Sequence, residues 1–426
     1  MLNKGVVNGH VLTCRPVTYF FSKYPLFDKA LGINFFKTKK MKSTLIPLLV
    51  FLSICGFKLI PAPFQTVSHT NLPLTGLATN SMDVESGDID GDGDQDLVVA
   101  MEFRPNVLLL NDGAGVFVNA SSGRLPRKNH DSEDIALADF DRDGDLDIIF
   151  VSEDDHINEY YLNDGKGFFS DVSETFPIRA TSNAVVAADF DGDGDLDLVV
   201  GNAGQDNLLL NDGKGAFKEE TSGRMPTDTS VTQDVEGVDI DGDKDLDLIF
   251  GNEDGNRVYL NNGKGYFKDA TASCFPSPSQ SEETRKVDVG DVDGDGDQDL
   301  FFSNVAFIAG KNPANRLFIN NGTGIFKDDT EKRFIARNDL NSADACFFDL
   351  DGDRDLDLII ANIFGGYQQL LINNGSGVFT EDRTGLLPAS IPGEAISVEV
   401  FDANRDGKGD LYFGMFRLSD ELLFGR

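Results

Sequence analysis

One acidic nonapeptide, D-x-D-x-D-G-x-x-D in its fullest form, constrains this chain more than any other feature. Its copies start at Asp88, Asp139, Asp189, Asp239, Asp291, Asp349 and, more loosely, Asp402, roughly 50 to 58 residues apart. A period of this length marks a repeat architecture, in which each unit buries its apolar surface only against its neighbours. The copy DFDGDGDLDLVV (189–200) shows the problem each unit must solve. Carboxylates at every second position run straight into Leu198, Val199 and Val200. Two carboxylates about 4 Å apart repel by about 4 kcal/mol at an effective dielectric of about 20. The apolar run, by contrast, belongs in a core. A cation held at the turn between two strands makes the two features compatible.

The full unit reads AVVAADFDGDGDLDLVVGNAGQDNLLLNDGKGAFKEET (184–221). Residues 184–190 predict a short apolar strand, followed by the acidic loop. Residues 196–200 alternate and then turn continuously apolar, as a buried strand does. A third strand is expected over 207–210. The NDGKG turn then offers residues that tolerate positive φ, and a polar outer strand follows over 216–220. No helical period is visible. Four antiparallel strands per unit predict an all-β, seven-bladed propeller. The last repeat ends at ELLFGR, within its third strand, whereas FQTVSHTNLP (64–73) matches FVNASSGRLP (117–126) and FKEETSGRMP (217–226). The N-terminal strand therefore supplies the missing outer strand of blade seven and closes the ring, which removes open sheet edges.

In each loop, positions 1, 3 and 5 place carboxylates around a point, position 7 offers a backbone carbonyl, and position 9 returns another carboxylate. The candidate ligands are Asp88, Asp90, Asp92, Asp94 and Asp96; Asp139, Asp141, Asp143, Asp145 and Asp147; Asp189, Asp191, Asp193, Asp195 and Asp197; Asp239, Asp241, Asp243, Asp245 and Asp247; Asp291, Asp293, Asp295, Asp297 and Asp299; Asp349, Asp351, Asp353, Asp355 and Asp357; and Asp402, Asn404, Asp406, Lys408 and Asp410. Hard oxygen donors in this number suit Ca2+, and up to seven ions are expected. Zinc would require His or Cys. An EF-hand would require Glu at position 12 and flanking helices; position 12 here is apolar, as at Val200. Position 6 is Gly93, Gly144, Gly194, Gly296 and Gly407 in five loops, but Lys244 and Arg354 in the other two. A non-glycine residue at positive φ costs about 1 kcal/mol, and a cation beside the ion competes with it, so weaker binding is expected in those two.

ADFDGDGDLDLVVGNAGQDNLLLNDGKGAF resembles the FG-GAP/VCBS repeat, the unit of integrin α-subunit propellers and of many exported bacterial proteins. The likeness extends from Phe64 to Arg426, and the loop and the NDGxGxF turn recur together in six units. It implies a calcium-stabilised propeller outside the cytoplasm, used in adhesion, protein interaction or sugar binding. Integrins carry the loop in only some blades, whereas all seven carry it here, which favours a structural role for the metal.

The acidic loops and third-to-fourth turns share one face of such a ring. The opposite face carries loops that do not repeat, and variable loops on a rigid scaffold commonly bind. Candidate partner contacts there are Phe103, Arg104, Phe307, Lys311, Phe364, Tyr367, Phe416 and Arg417. His130 and His156, near Asp131, Glu153, Asp154 and Asp155, suggest at most a second metal site or a dyad; lone histidines in acidic loops are usually surface residues. The expected function is a non-catalytic module for a protein or cell-surface partner. A carbohydrate-binding propeller is the alternative, though the chain has no Trp to serve as a sugar platform. A polysaccharide-degrading enzyme is the third reading. A formal charge of −35 with no basic face argues against nucleic acid.

The four cysteines show no zinc spacing, and Cys274 and Cys346, on non-adjacent repeats, are expected as free thiols. Residues 1–61 read as an export region, with basic residues to Lys42 and then the apolar TLIPLLVFLSIC (44–55). Met41 is an alternative start. LSIC (52–55) resembles a lipobox that would lipidate Cys55, although Ile54 stands where a small residue is usual. A cleaved signal, a lipoprotein or an uncleaved anchor all fit; any membrane contact is expected only through this N-terminal region.

Overall fold

A computed structural model describes residues 64–73, 80–153, 156–276 and 282–425. The export region, Met41 and Cys55 lie outside the described residues.

The chain folds as a seven-bladed propeller of antiparallel sheets. Blade 1 consists of Ser81–Gly87, Asp96–Met101, Val107–Leu110 and Val118–Asn119. Blade 3, the unit read in full above, consists of Ser182–Ala188, Asp197–Asn202, Asn207–Asn211 and Phe217–Glu219. All four strands exist, but the first ends two residues earlier than the sequence predicts. Asp189 and Phe190 belong to the loop, because Phe190 donates its N–H to Asp197 rather than to a ladder partner. Blade 6 has a fifth strand, Phe334–Ile335, parallel to Phe379–Glu381. One-turn helices, absent from the sequence reading, follow several outer strands, as at Ser121–Arg124 and Thr271–Cys274. They are too short to carry a 3.6-residue pattern.

The ring closes as expected. Gln65–Thr66 pairs antiparallel with Glu421–Phe424 as the fourth strand of blade 7. The first strands neighbour one another around the centre, blade 7 against blade 1 included.

The core is seven separate clusters, one per blade interface, and this explains the continuous apolar run. In blade 3, Leu198 and Val200 pack toward blade 2, while Val199 packs toward blade 4. Both faces of the second strand are thus buried. The Phe of each NDGxGxF turn fills the interface with the preceding blade: Phe117, Phe169, Phe217, Phe267, Phe326 and Phe379. Phe64 takes the same place between blades 6 and 7. Cys274 and Cys346 are free thiols.

Candidate metal centres and the opposite face

Each acidic loop is shaped by its own carboxylates. In the first, Asp88 accepts from the N–H groups of Gly91 (2.9 Å) and Gly93 (3.1 Å), and Asp92 accepts from Asp94 N–H. Asp96, at position 9, accepts from Ile89 N–H with one oxygen and from Asn111 N–H with the other. Positions 1, 3 and 9 thereby converge. Asp88, Asp90 and Asp96 bring oxygens within 4.8 Å of one another, as do Asp139, Asp141 and Asp147, Asp189, Asp191 and Asp197, and Asp239, Asp241 and Asp247. At position 3, one oxygen each of Asp90, Asp191 and Asp293 is buried without a hydrogen-bond partner. Burial pushes Asp90 and Asp191 upward, with the neighbouring carboxylate next in importance. Burial also pushes the position-9 carboxyls Asp96, Asp197 and Asp410 up to about 7. Converging hard oxygens, one of them orphaned, fit a divalent cation.

Position 7 contributes more than a carbonyl. The Asp195 side chain sits against Gly213 in its own blade's turn, as Asp94 sits against Gly113. Asp195 and Asp94 also form ion pairs with Arg142 and Arg405, residues at position 4 of the preceding blades' loops. In the seventh loop, Lys408 Nζ lies 3.6 Å from the position-5 carboxylate of Asp406. Lys244 and Arg354 hold φ +77°, the left-handed backbone expected at position 6. Position 4 is left-handed too, with Arg142 at +63° and Arg405 at +59°.

The first Asn of each turn is an inter-blade lock that the sequence reading missed. Asn211 Nδ2 donates to Phe140 O of blade 2, Asn261 Nδ2 to Phe190 O of blade 3, and Asn320 Nδ2 to Ile240 O of blade 4. Such a residue reads as an ordinary turn former; its invariance across six copies in this chain was the available signal.

On the opposite face, the structure brings four of the eight contact candidates together. Phe307, Phe364 and Phe416, from blades 5, 6 and 7, form a chain of rings with centroids 5.1 and 5.8 Å apart. Arg417 stacks on Phe416 and Arg285 on Phe307. Phe364 is 54% exposed and adopts φ +59°. The remaining candidates lie elsewhere. Lys311 Nζ is tied to the Glu253 and Glu282 carbonyls and pairs with Asp254. Tyr367 donates its hydroxyl to Glu381. Phe103 and Arg104 sit on blade 1's second-to-third loop. His156 bonds Thr181 Oγ1 through Nδ1 (3.0 Å), and His130 pairs its backbone with Arg104. Asp131, Glu133 and Glu153 approach one another within 4.8 Å. Asp154 and Asp155 lie outside the described residues.

The central channel is acidic, which the sequence reading also missed. A cavity of about 110 Å³ is lined by Asp83, Asp134, Asp234, Asp344 and Lys286, with Phe307 at its rim. These aspartates bridge blades. Asp83 accepts from Ile135 N–H, Asp134 from Val185 N–H, Asp234 from Val287 N–H and Asp344 from Val398 N–H. The signal was an acid five residues before a loop's first aspartate, inside an otherwise apolar strand.

Seven blades built on four antiparallel strands, each with an acidic loop between its first and second strands, define a repeat propeller with metal-type loops. The FG-GAP-like repeat family matches residues 88–150, 146–200, 189–250, 239–302 and 349–413. These segments span more than half of the chain, which belongs to that family. No curated protein matches it in sequence. Among solved structures, BBS1N in complex with ARL6DN is similar at 12% identity and TM-score 0.53, covering 86% of this chain and 97% of that one. The BP39L lectin from Burkholderia pseudomallei is similar at 11% identity and TM-score 0.52, covering 79% and 93%. At these identities the likeness concerns the fold alone.

Proposed function

We propose that this chain is an exported, calcium-stabilised, non-catalytic propeller that binds a protein or surface partner on the face opposite its acidic loops. The Phe307–Phe364–Phe416 cluster carries this reading. Three rings from three consecutive blades share one exposed patch, with Arg285 and Arg417 stacked at its ends. Exposed aromatic groups beside arginine are the composition of interface hot spots, and contiguous apolar patches mark interaction sites. Left-handed φ at Phe364 and Arg417 supports the same reading, because backbone strain gathers at binding loops.

Calcium would be held by the carboxylates at positions 1, 3, 5 and 9 of each loop, with the Asn404 amide oxygen standing at position 3 of the seventh. When bound, it would neutralise their repulsion and so stabilise the turn between first and second strands. The basic and apolar segment before Lys58 supports export. N-terminal sequencing of protein recovered outside the cytoplasm tests it; recovery only from the cytoplasm overturns it.

The binding test uses cross-linking to intact cells of the native source, with calcium present. Phe364→Asp should abolish the cross-linked species. Ile325→Asp, equally exposed but on the acidic-loop face, should leave it intact. Equal capture by both variants would sink the assignment of the face. For the metal, a chelator should lower the melting temperature and added calcium should restore it; an unchanged melting curve overturns the calcium reading.

A further inference from the structure

We propose that a cavity at the outer edge of blade 1, where the chain passes to blade 2, binds a small ligand through its carboxylate. The cavity measures about 550 Å³, within the range of small-molecule sites. Its floor is apolar, with Met101, Val107 and Leu125. Arg104 and Arg127 both line it, and no carboxylate does. This is unusual in a chain with 72 acidic and 37 basic residues.

The strand register shows how the acid was lost. Asn119 on the outer strand faces Leu109. The same place is Asp171 in blade 2, Glu219 in blade 3, Asp269 in blade 4, Asp328 in blade 5 and Glu381 in blade 6. In those blades the acid has a structural task and often a cation. Asp171 accepts from Ser173 and pairs with Lys128 at 2.7 Å; Asp328 accepts from Thr330 and pairs with Arg316. Asn119 keeps the structural task alone, accepting from Ser121 N–H and Oγ. Blade 1 therefore retains the turn and loses the anion. Arg127 is left with no hydrogen bond or ion pair among the described residues.

The nearby acids are already engaged. Glu102 accepts from Asn80, and Glu159 is buried behind Asn106, bonded to it and to Tyr161. Asn106 also accepts from Met101 N–H, so that wall is fixed. The backbone bridge between Arg104 and His130 holds the loop over the chain's exit to blade 2. The corresponding cavity of blade 6 differs in having carboxylates in its lining. It measures about 250 Å³, carries Glu381 and Asp382 beside Arg383, and has Ala389 where blade 1 has Arg127.

A guanidinium pairs with a carboxylate through two parallel hydrogen bonds, so the ligand class is a carboxylate on a body of monosaccharide size. Calorimetry on the full chain in calcium tests this with three probes: D-galacturonate, its neutral counterpart D-galactose, and benzoate. At least one acid should bind and galactose should not; galacturonate alone points to a sugar acid, and benzoate to a non-sugar carboxylate. Arg127→Ala should weaken binding about tenfold or more. Asn119→Asp, which restores the acid of the other blades, should do the same with the melting temperature unchanged. Binding of neither acid, equal binding of galactose, or affinity that survives Arg127→Ala would overturn the proposal.

Discussion

Gly213 has no room for a methyl group, since a Cβ there would lie 2.7 Å from both carboxylate oxygens of Asp195. Its φ of +71° adds conformational strain to that collision. Gly223 has φ +81° and nothing within 4 Å. The pair separates the two effects. Gly223→Ala should cost about 1 kcal/mol from backbone strain alone. Gly213→Ala should cost about 1 to 2 kcal/mol more, because the position-7 carboxylate must move. Denaturant midpoints measure both, and equal losses would show that the Asp195 side chain yields freely. Left-handed glycine in the NDGxGxF turn was legible from sequence, because the turn type requires it. The partner at position 7 was not, because nothing in the local pattern says where that side chain turns. The strained lysine and arginine at position 6 were legible for the same reason as the glycines. Arg142 and Arg405 at position 4 were not, since arginine in a polar loop gives no sign of left-handed backbone.

At the scale of the strand, the first strand of each blade faces two environments. Its apolar residues enter the blade interfaces, as Val235 and Val287 do. Its acids line the channel. Lys286 bonds Asp234 at 3.1 Å and approaches Glu236 at 4.0 Å. Asp83, Glu85, Asp134, Asp288, Asp344 and Glu399 complete the charged surroundings. Burial pushes Asp83 up to about 6 and Asp344 to about 7, while Lys286 pulls both down. Burial first, then neighbouring carboxylates, holds Asp288 well above the usual range. The sign follows from linkage. The folded channel binds more protons than the unfolded chain between the ordinary carboxylate value, 3.8, and these raised values. Stability from this set is therefore greatest at low pH and falls as pH rises through about 6 to 7. Lys286→Met should destabilise by about 2 to 3 kcal/mol at about pH 8, because buried carboxylates lose their cation. The loss should shrink at about pH 5.5, where protons take over that role. Melting in chelator at both values checks it, and a pH-independent loss would refute the account. These strands were legible as strands, yet their acids were passed over, because alternation does not distinguish a solvent-facing side chain from a channel-facing one.

For the whole molecule, repetition made the architecture readable. Seven loops fixed the number of blades, and an orphaned N-terminal FQTV matched the strand that blade 7 lacks. What repetition hid was the interaction between units, since every inter-blade bond joins residues from different copies. The Asn211 to Phe140 bond and the Asp234 to Val287 bond are of this kind. The closing seam lies inside blade 7, where the terminal strand pairs with a neighbour to which no continuous chain joins it. Phe64 anchors that strand in the interface of blades 6 and 7, among Leu370, Leu386 and Leu423, and donates its N–H to Leu386 O at 2.9 Å. Phe267 is its counterpart beside an outer strand that continuous chain joins to its own sheet. Both rings are buried, so either Phe→Ala change should cost about 3 to 5 kcal/mol if the interfaces melt as one cooperative unit. The two differ in what opens next. Phe267→Ala leaves its strand held by covalent neighbours. Phe64→Ala frees the terminal strand, so amides of Glu421–Phe424, which pair with Gln65 and Thr66, should exchange faster than those of the other blades. Hydrogen exchange by mass spectrometry reads this directly. Equal exchange in all seven blades of the Phe64→Ala protein would mean that the circle is held shut without its terminal strand.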